Sequence, residues 1–271
     1  MNPKRMFVLG LFVSAVALCA FRGSDGDGQQ FRIPTGWPTP VYDFAANPLT
    51  TQKIALGRQL FFDPRLSRDG SISCASCHLP QTAFAHTDHD LSHGIDNRIG
   101  RRNSPALMNL AWGAAFMWDG AVHHLDVQSI APLTNADEMG HSMAGAVQVL
   151  QGADAYRPMF AAAFGDTAIT GERVLKSLTQ FLLTLVSAGA KYDRVMAGSE
   201  AFSDAEARGY TVFKSNCASC HTEPLFTSGA FENNGLPPDT TLNDAGREGI
   251  SGAAGDRGKF KVPTLRNVAV S

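Results

Sequence analysis

The chain has 271 residues, 44% apolar and 18% charged, with a formal net charge of −2. That length allows one large domain or two small ones, and the apolar share excludes a disordered chain. The near-neutral balance supplies no positive field to draw nucleic acid or an anionic membrane. Twenty-six glycines and fourteen prolines make a loop-rich architecture the expectation.

At the N-terminus, Lys4 and Arg5 precede the apolar run MFVLGLFVSAVALCAF, and GSDGDGQQ follows it. A basic start, a short apolar stretch and small residues near Ala20 give residues 1–20 the layout of a secretory signal. The run is short for a bilayer span, which takes about 20 apolar residues. An uncleaved anchor and a lipoprotein cysteine at Cys19 are the alternatives, and Leu18 fits the second poorly. An exported chain is expected, with residues 21–46 as a linker.

The first helix is predicted to begin near Thr50 or Thr51 and to stop at Phe61 or Phe62, ahead of Asp63-Pro64. The pentapeptide CASCH follows at Cys74–His78. A helical stripe of Val174, Leu175, Leu178, Phe181, Leu182, Leu185 and Val186 lies in GERVLKSLTQFLLTLVSAGAKYDRVMAG, the longest clear helical stretch. FGDTAITG interrupts the pattern just before it, which places a boundary near 165–172. Ser203 and Glu206 form a capping box that opens another helix, and CASCH returns at Cys217–His221. Few stretches alternate with period two, so strands should be few and short. The expected fold is mostly α: two tandem cytochrome c-like haem domains, over 47–168 and 169–271.

The haem assignment comes from the two pentapeptides. Redox dithiols usually sit at a strand–helix junction of a βαβ unit, and neither copy has that setting. Structural zinc pairs usually meet over about 15–20 residues, far less than the separation here. In c-type attachment the two thiols, Cys74 and Cys77 or Cys217 and Cys220, add to the haem vinyls. The next residue, His78 or His221, becomes the iron ligand. With Cys19 removed, every cysteine belongs to a CASCH.

Beyond these pentapeptides, LGRQLFFDPRLSRDGSISCASCH, RRNSPALMNLAWGAAFMWDG, LDVQSIAPLTNADEMG and KFKVPTLRNVA occur in this order. Together they resemble the bacterial dihaem cytochrome c peroxidase family, which includes the MauG-type enzymes. The likeness runs from about residue 47 to the last residue. It implies an N-terminal haem that binds and splits hydrogen peroxide, and a C-terminal haem that takes electrons from a small donor protein, a cytochrome c or a cupredoxin. It implies Trp118 between the haems, and Gln128 and Glu138 as the polar pair over the peroxide face. Glu138 would move a proton between the peroxide oxygens, and Gln128 would orient them. Asn103 matches a calcium ligand at the domain junction. His93 is the nearest candidate for a histidine that caps the resting N-terminal haem, two residues too far from Trp118 for an ungapped match.

The resemblance thus leads to a periplasmic enzyme that reduces hydrogen peroxide to water. Its cofactors would be two covalent c-type haems and a calcium ion, and a homodimer is compatible with it. The alternatives are MauG-like oxidation of a partner protein and a dihaem electron carrier without catalysis. In the family the motif VPTLRNVA leads on to the sixth ligand of the C-terminal haem. Here the sequence stops at Ser271, so the resemblance implies a C-terminally incomplete peroxidase whose second haem lacks that ligand.

Overall fold

A computed structural model describes residues 28–87 and 89–271. The expected signal segment, its cleavage point and Cys19 lie outside the described residues. The first helix, α1, is Thr51–Phe61. It starts there because the Thr50 hydroxyl accepts the Lys53 N–H at 3.2 Å, satisfying one of the amides that a helix start leaves unpaired. In chain order follow α2 (Cys74–Cys77), α3 (Leu125–Gln128), α4 (Ile130–Thr134), α5 (Met143–Gln151), α6 (Tyr156–Phe164), α7 (Gly171–Leu183), α8 (Lys191–Met196), α9 (Asp204–Asn216), β1 (Phe231–Glu232), α10 (Glu248–Ser251) and β2 (Phe260–Lys261). The two strands pair antiparallel, Phe231 opposite Lys261 and Glu232 opposite Phe260. Among the described residues the rest is helix, turn and loop, in keeping with the expected mostly α class.

The core forms between α1 and α7, with α5, α6 and the α3–α4 pair around them. Leu56 and Leu60 of α1 meet the stripe of α7, whose Val174, Leu178, Phe181 and Leu182 are all buried. The two helices approach closely at Gly57. A Cβ there would stand 1.8 Å from the Ser177 carbonyl oxygen, so no other residue fits. α7 therefore packs with elements that precede it in the chain, α1, α3 and α5 among them.

The apolar stripe predicts helix onward through Val186, but α7 ends at Leu183. The Thr184 hydroxyl turns back onto the Phe181 carbonyl at 2.6 Å. Asn109 then takes over the backbone that a longer helix would have used. Its N–H donates to Leu185 O at 2.8 Å, and its side-chain oxygen accepts the Ser187 N–H at 2.8 Å. Side chains of this kind offer the backbone an alternative to the helix, and the chain resumes as α8 only at Lys191.

The segment expected as a linker is described from Gly28. Its Phe31, Trp37, Tyr42 and Phe44 pack against the core, and the Trp112 indole donates to Pro38 O at 2.7 Å. Behind it lies a buried polar network. Gln180 of α7 donates to Asn47 Oδ1 at 2.9 Å and to Pro48 O at 2.7 Å. Tyr42 donates to Asp126 of α3 at 2.8 Å. The strap thereby fixes α3 against α7.

Candidate functional site

The two CASCH copies adopt one local design. α2 holds the cysteines of the first copy and is closed at its start by Ser76, whose hydroxyl accepts the Ser73 N–H at 3.0 Å. The second copy begins at the C-cap of α9, whose start carries the expected Ser203–Glu206 capping box. All four cysteines are unpaired. His78 Nδ1 lies 2.9 Å from the Phe84 carbonyl oxygen, and His221 Nδ1 lies 3.1 Å from that of Phe226. A carbonyl can only accept, so each Nδ1 carries the proton and each Nε2 keeps a lone pair for a metal. Both phenylalanines hold positive φ, 58° for Phe84 and 54° for Phe226. For a bulky residue that conformation costs about 1–2 kcal/mol. The same strain at both sites turns the same carbonyl toward the same ring nitrogen.

At the first copy, burial pushes the Cys74 thiol up to about 12 and the His78 imidazole down to about 4. The ring is therefore neutral at pH 7, as a metal ligand must be. Among the described residues no three of His, Cys, Asp and Glu gather into a metal-holding group, so the two pairs do not share a zinc site. Two free thiols, a neutral imidazole and a fixed Nδ1 contact fit c-type haem attachment at the first copy, and the second repeats the free thiols and the Nδ1 contact.

A cavity of about 60 Å³ is lined by Cys74, Cys77, His78, Gln128 and Glu138, with Leu107, Leu133 and Leu178 among its apolar neighbours. The fold thus joins α2, the end of α3 and the turn after α4, three elements separate in sequence. Glu138 is half-buried. Burial raises its carboxyl above the usual range, opposed by a hydrogen bond from Asn135. That amide donates to Oε1 at 2.7 Å and leaves Oε2 for a proton. Gln128 donates through Nε2 to the Met117 sulfur at 3.4 Å, which leaves its carbonyl oxygen to act as an acceptor. Neither Asn135 nor Met117 was legible as a partner: each is set by tertiary geometry.

Trp118 does not line this cavity. It lies, half-buried, on a larger cavity of about 380 Å³ between the two halves, together with Asn103, Met117, Leu225, Thr227 and Ser271. Its indole donates to the Asn103 carbonyl at 2.7 Å. Residues of the second half grip its loop. The Lys261 N–H donates to Trp118 O at 2.7 Å, Lys261 Nζ to Ala115 O at 3.1 Å, and Arg247 to Asp119 O at 2.8 Å. The Asn103 amide nitrogen donates to His86 O at 3.0 Å, while its Oδ1 is buried without a hydrogen-bond partner. A buried unpaired oxygen is rare in a folded chain and suits a cation ligand.

His93 sits at the rim of the smaller cavity by its backbone only. Its carbonyl accepts from Cys77 Sγ at 3.4 Å, and Ile95 N–H donates to Glu138 O at 2.9 Å. Its ring is exposed and stacks on His89, centroids 4.3 Å apart.

The profile of the family described as di-haem cytochrome c peroxidase matches residues 51–201. The chain is 37% identical to the methylamine utilization protein MauG of Methylophilus methylotrophus, over 98% of this chain and 79% of that protein. It is 36% identical to the cytochrome c551 peroxidase of Nitrosomonas europaea, over 84% of this chain and 69% of the relative. Among solved structures, a MauG-like protein associated with microbial copper homeostasis superposes with a TM-score of 0.79 at 30% identity, covering 89% of this chain and 76% of that one.

Proposed function

The chain belongs to the di-haem cytochrome c peroxidase family, and from that premise we propose that it is a peroxidase whose peroxide site is the cavity of His78, Gln128 and Glu138. Two c-type haems are its cofactors, the first held by Cys74, Cys77 and His78 and the second by Cys217, Cys220 and His221. Bound there, haem would supply the iron redox chemistry and relay the two electrons that the small donor protein provides. The balance is H2O2 plus two electrons and two protons to two waters. Within it, Glu138 Oε2 takes a proton from one peroxide oxygen and returns it to the departing one. The Gln128 carbonyl accepts a hydrogen bond from the bound peroxide and holds it in line. The apolar lining keeps bulk water from competing for that proton.

One observation carries this reading: Glu138 and Gln128 share a cavity with His78 although 50 or more residues of sequence separate them. An electron carrier needs no proton-handling carboxyl there. A small donor protein, a cytochrome c or a cupredoxin, fits the second haem and the junction at Trp118. MauG-like oxidation of a partner protein is the second reading, supported by the identity to MauG. Asn103 Oδ1 supports a calcium ion at the junction, and the layout of residues 1–20 supports export to the periplasm.

The test is peroxide-dependent oxidation of a reduced small cytochrome by the holoprotein, with Glu138→Gln alongside. Turnover in the wild type and its loss in Glu138→Gln, with both haem spectra retained, is the expected result. Wild-type holoprotein that oxidises no small donor but modifies a larger partner protein favours the second reading.

A further inference from the structure

The two histidine loops are alike at the ring and unlike in what holds them. Around His78 the loop closes on itself. Leu79 bridges Ala85, and the Thr82 hydroxyl donates to Leu79 O at 3.1 Å and Ala85 O at 2.8 Å. The His221 loop also closes on itself, Thr227 N–H donating to Thr222 O at 3.2 Å, but three of its other carbonyls are taken by a segment some 40 residues further on. Arg266 Nε donates to Pro224 O at 2.8 Å. The Thr264 hydroxyl donates to Leu225 O at 2.7 Å. The Leu265 N–H donates to Phe226 O at 3.2 Å, the oxygen that also faces His221 Nδ1. Three consecutive residues thus pin three consecutive carbonyls.

Arg266 anchors this clamp to the rest of the molecule. Its side chain is 4% exposed and pairs in bidentate fashion with Asp193 of α8 at 2.8 and 2.9 Å. Its guanidinium lies 4.5 Å from the Trp37 ring centroid and 5.4 Å from that of Phe226 itself. One planar cation therefore ties together the N-terminal strap, α8 and the loop of the second histidine. Only a guanidinium has enough donors in a fixed fork to do this and stack as well.

We propose that Arg266 is a positioning residue for the second haem: it holds Phe226 in its strained conformation, so that the Phe226 carbonyl keeps its hydrogen bond to His221 Nδ1. This rests on the reading of His221 as that haem's ligand. A hydrogen bond at Nδ1 makes the ring a stronger donor to iron, which favours the oxidised form. Loosening the loop weakens that bond and raises the reduction potential of the second haem. Losing a nearby positive charge acts in the opposite sense, by favouring the oxidised iron. Arg266→Lys keeps the charge and gives up the fork, so it separates the two effects.

The experiment is a spectroelectrochemical titration of wild-type and Arg266→Lys holoprotein, with the electron paramagnetic resonance spectrum of each. The expected result is an upward shift of one haem's potential and an altered signal for that haem, with the other unmoved. A folded variant with both haems and unchanged potentials, or with a downward shift, overturns the proposal. If Arg266→Lys does not fold, Thr264→Val removes the middle contact of the clamp. A smaller upward shift then supports the proposal and no shift overturns it. A wild-type chain with fewer than two covalent haems would refute the ligand reading, whereas two haems with unmoved potentials in Arg266→Lys refute this inference alone.

Discussion

At Glu138 the chain holds a carboxylate where burial opposes its charge and one amide, from Asn135, supports it. A group so placed can accept a proton and release it again. Glu138→Gln keeps the shape and the Asn135 neighbour but cannot shuttle. Peroxide turnover is expected to fall about 10²–10⁴-fold, the usual worth of general acid–base catalysis, with both haem spectra intact; unchanged stopped-flow rates would remove Glu138 from the chemistry. His93 invites the opposite outcome. Its ring is exposed and stacked on His89, outside the cavity. His93→Gly is expected to leave the spin state of the oxidised protein as it is, and a shift to high spin would show instead that the 92–95 loop turns its ring inward.

Among the elements, the α1–α7 pair depends on one absent side chain. Gly57→Ala places a methyl group 1.8 Å from the Ser177 carbonyl, and two helices must separate to admit it. Overpacking of this kind costs about 1–3 kcal/mol. A lowered denaturation midpoint for Gly57→Ala, beside a raised one for Gly209→Ala in the exposed middle of α9, where open space lets Ala show its better helix propensity, is the expected pattern. Equal midpoints would mean that the contact yields without cost. α9 gives a smaller case. Its start rests on the Ser203–Glu206 capping box, so Ser203→Ala is expected to cost about 1 kcal/mol, read in the same titration.

Across the whole molecule, Arg102 joins the halves. It reaches Asp119 beside Trp118 at 2.6 Å and Asp244 of the second half at 2.6 and 2.8 Å. The hydrogen bonds from Arg102 hold the Asp244 carboxyl below its usual range. The sign follows from linkage. A carboxyl with a depressed folded value adds stability above its unfolded value, near pH 4, and loses it as pH falls through the folded one. Arg102→Met removes the cation and strands two carboxylates, of which Asp119 and Asp244 are only 13% and 15% exposed. The loss at pH 7 is expected to be about 2 kcal/mol, less than the roughly 3–5 kcal/mol of a fully buried pair. The gap between wild type and variant should close as pH falls below 4 in thermal melts. A gap that persists in acid would assign the loss to packing on Phe260.

The two C-x-x-C-H pentapeptides, the start of α1 and the capping box of α9 were legible in the sequence because each is a local pattern: a fixed Cys–Cys–His spacing, a Thr before a helical stripe, a Ser three residues ahead of Glu. Resemblance added Gln128, Glu138, Trp118 and Asn103, but not where they meet. Tertiary structure decided that Gln128 and Glu138 share a cavity with His78 while Trp118 lies on another. It also ended α7 at Leu183, because Asn109, 74 positions before that residue, takes the backbone beyond it. The stretch 28–46 looked like a linker because its aromatics follow no helical or strand period; they find their order only against the core. Arg266 gave no signal of its role for the same reason. Its partners, Asp193, Pro224 and Trp37, are brought to it by the fold, and a hydrogen bond depends on proximity in space rather than along the chain.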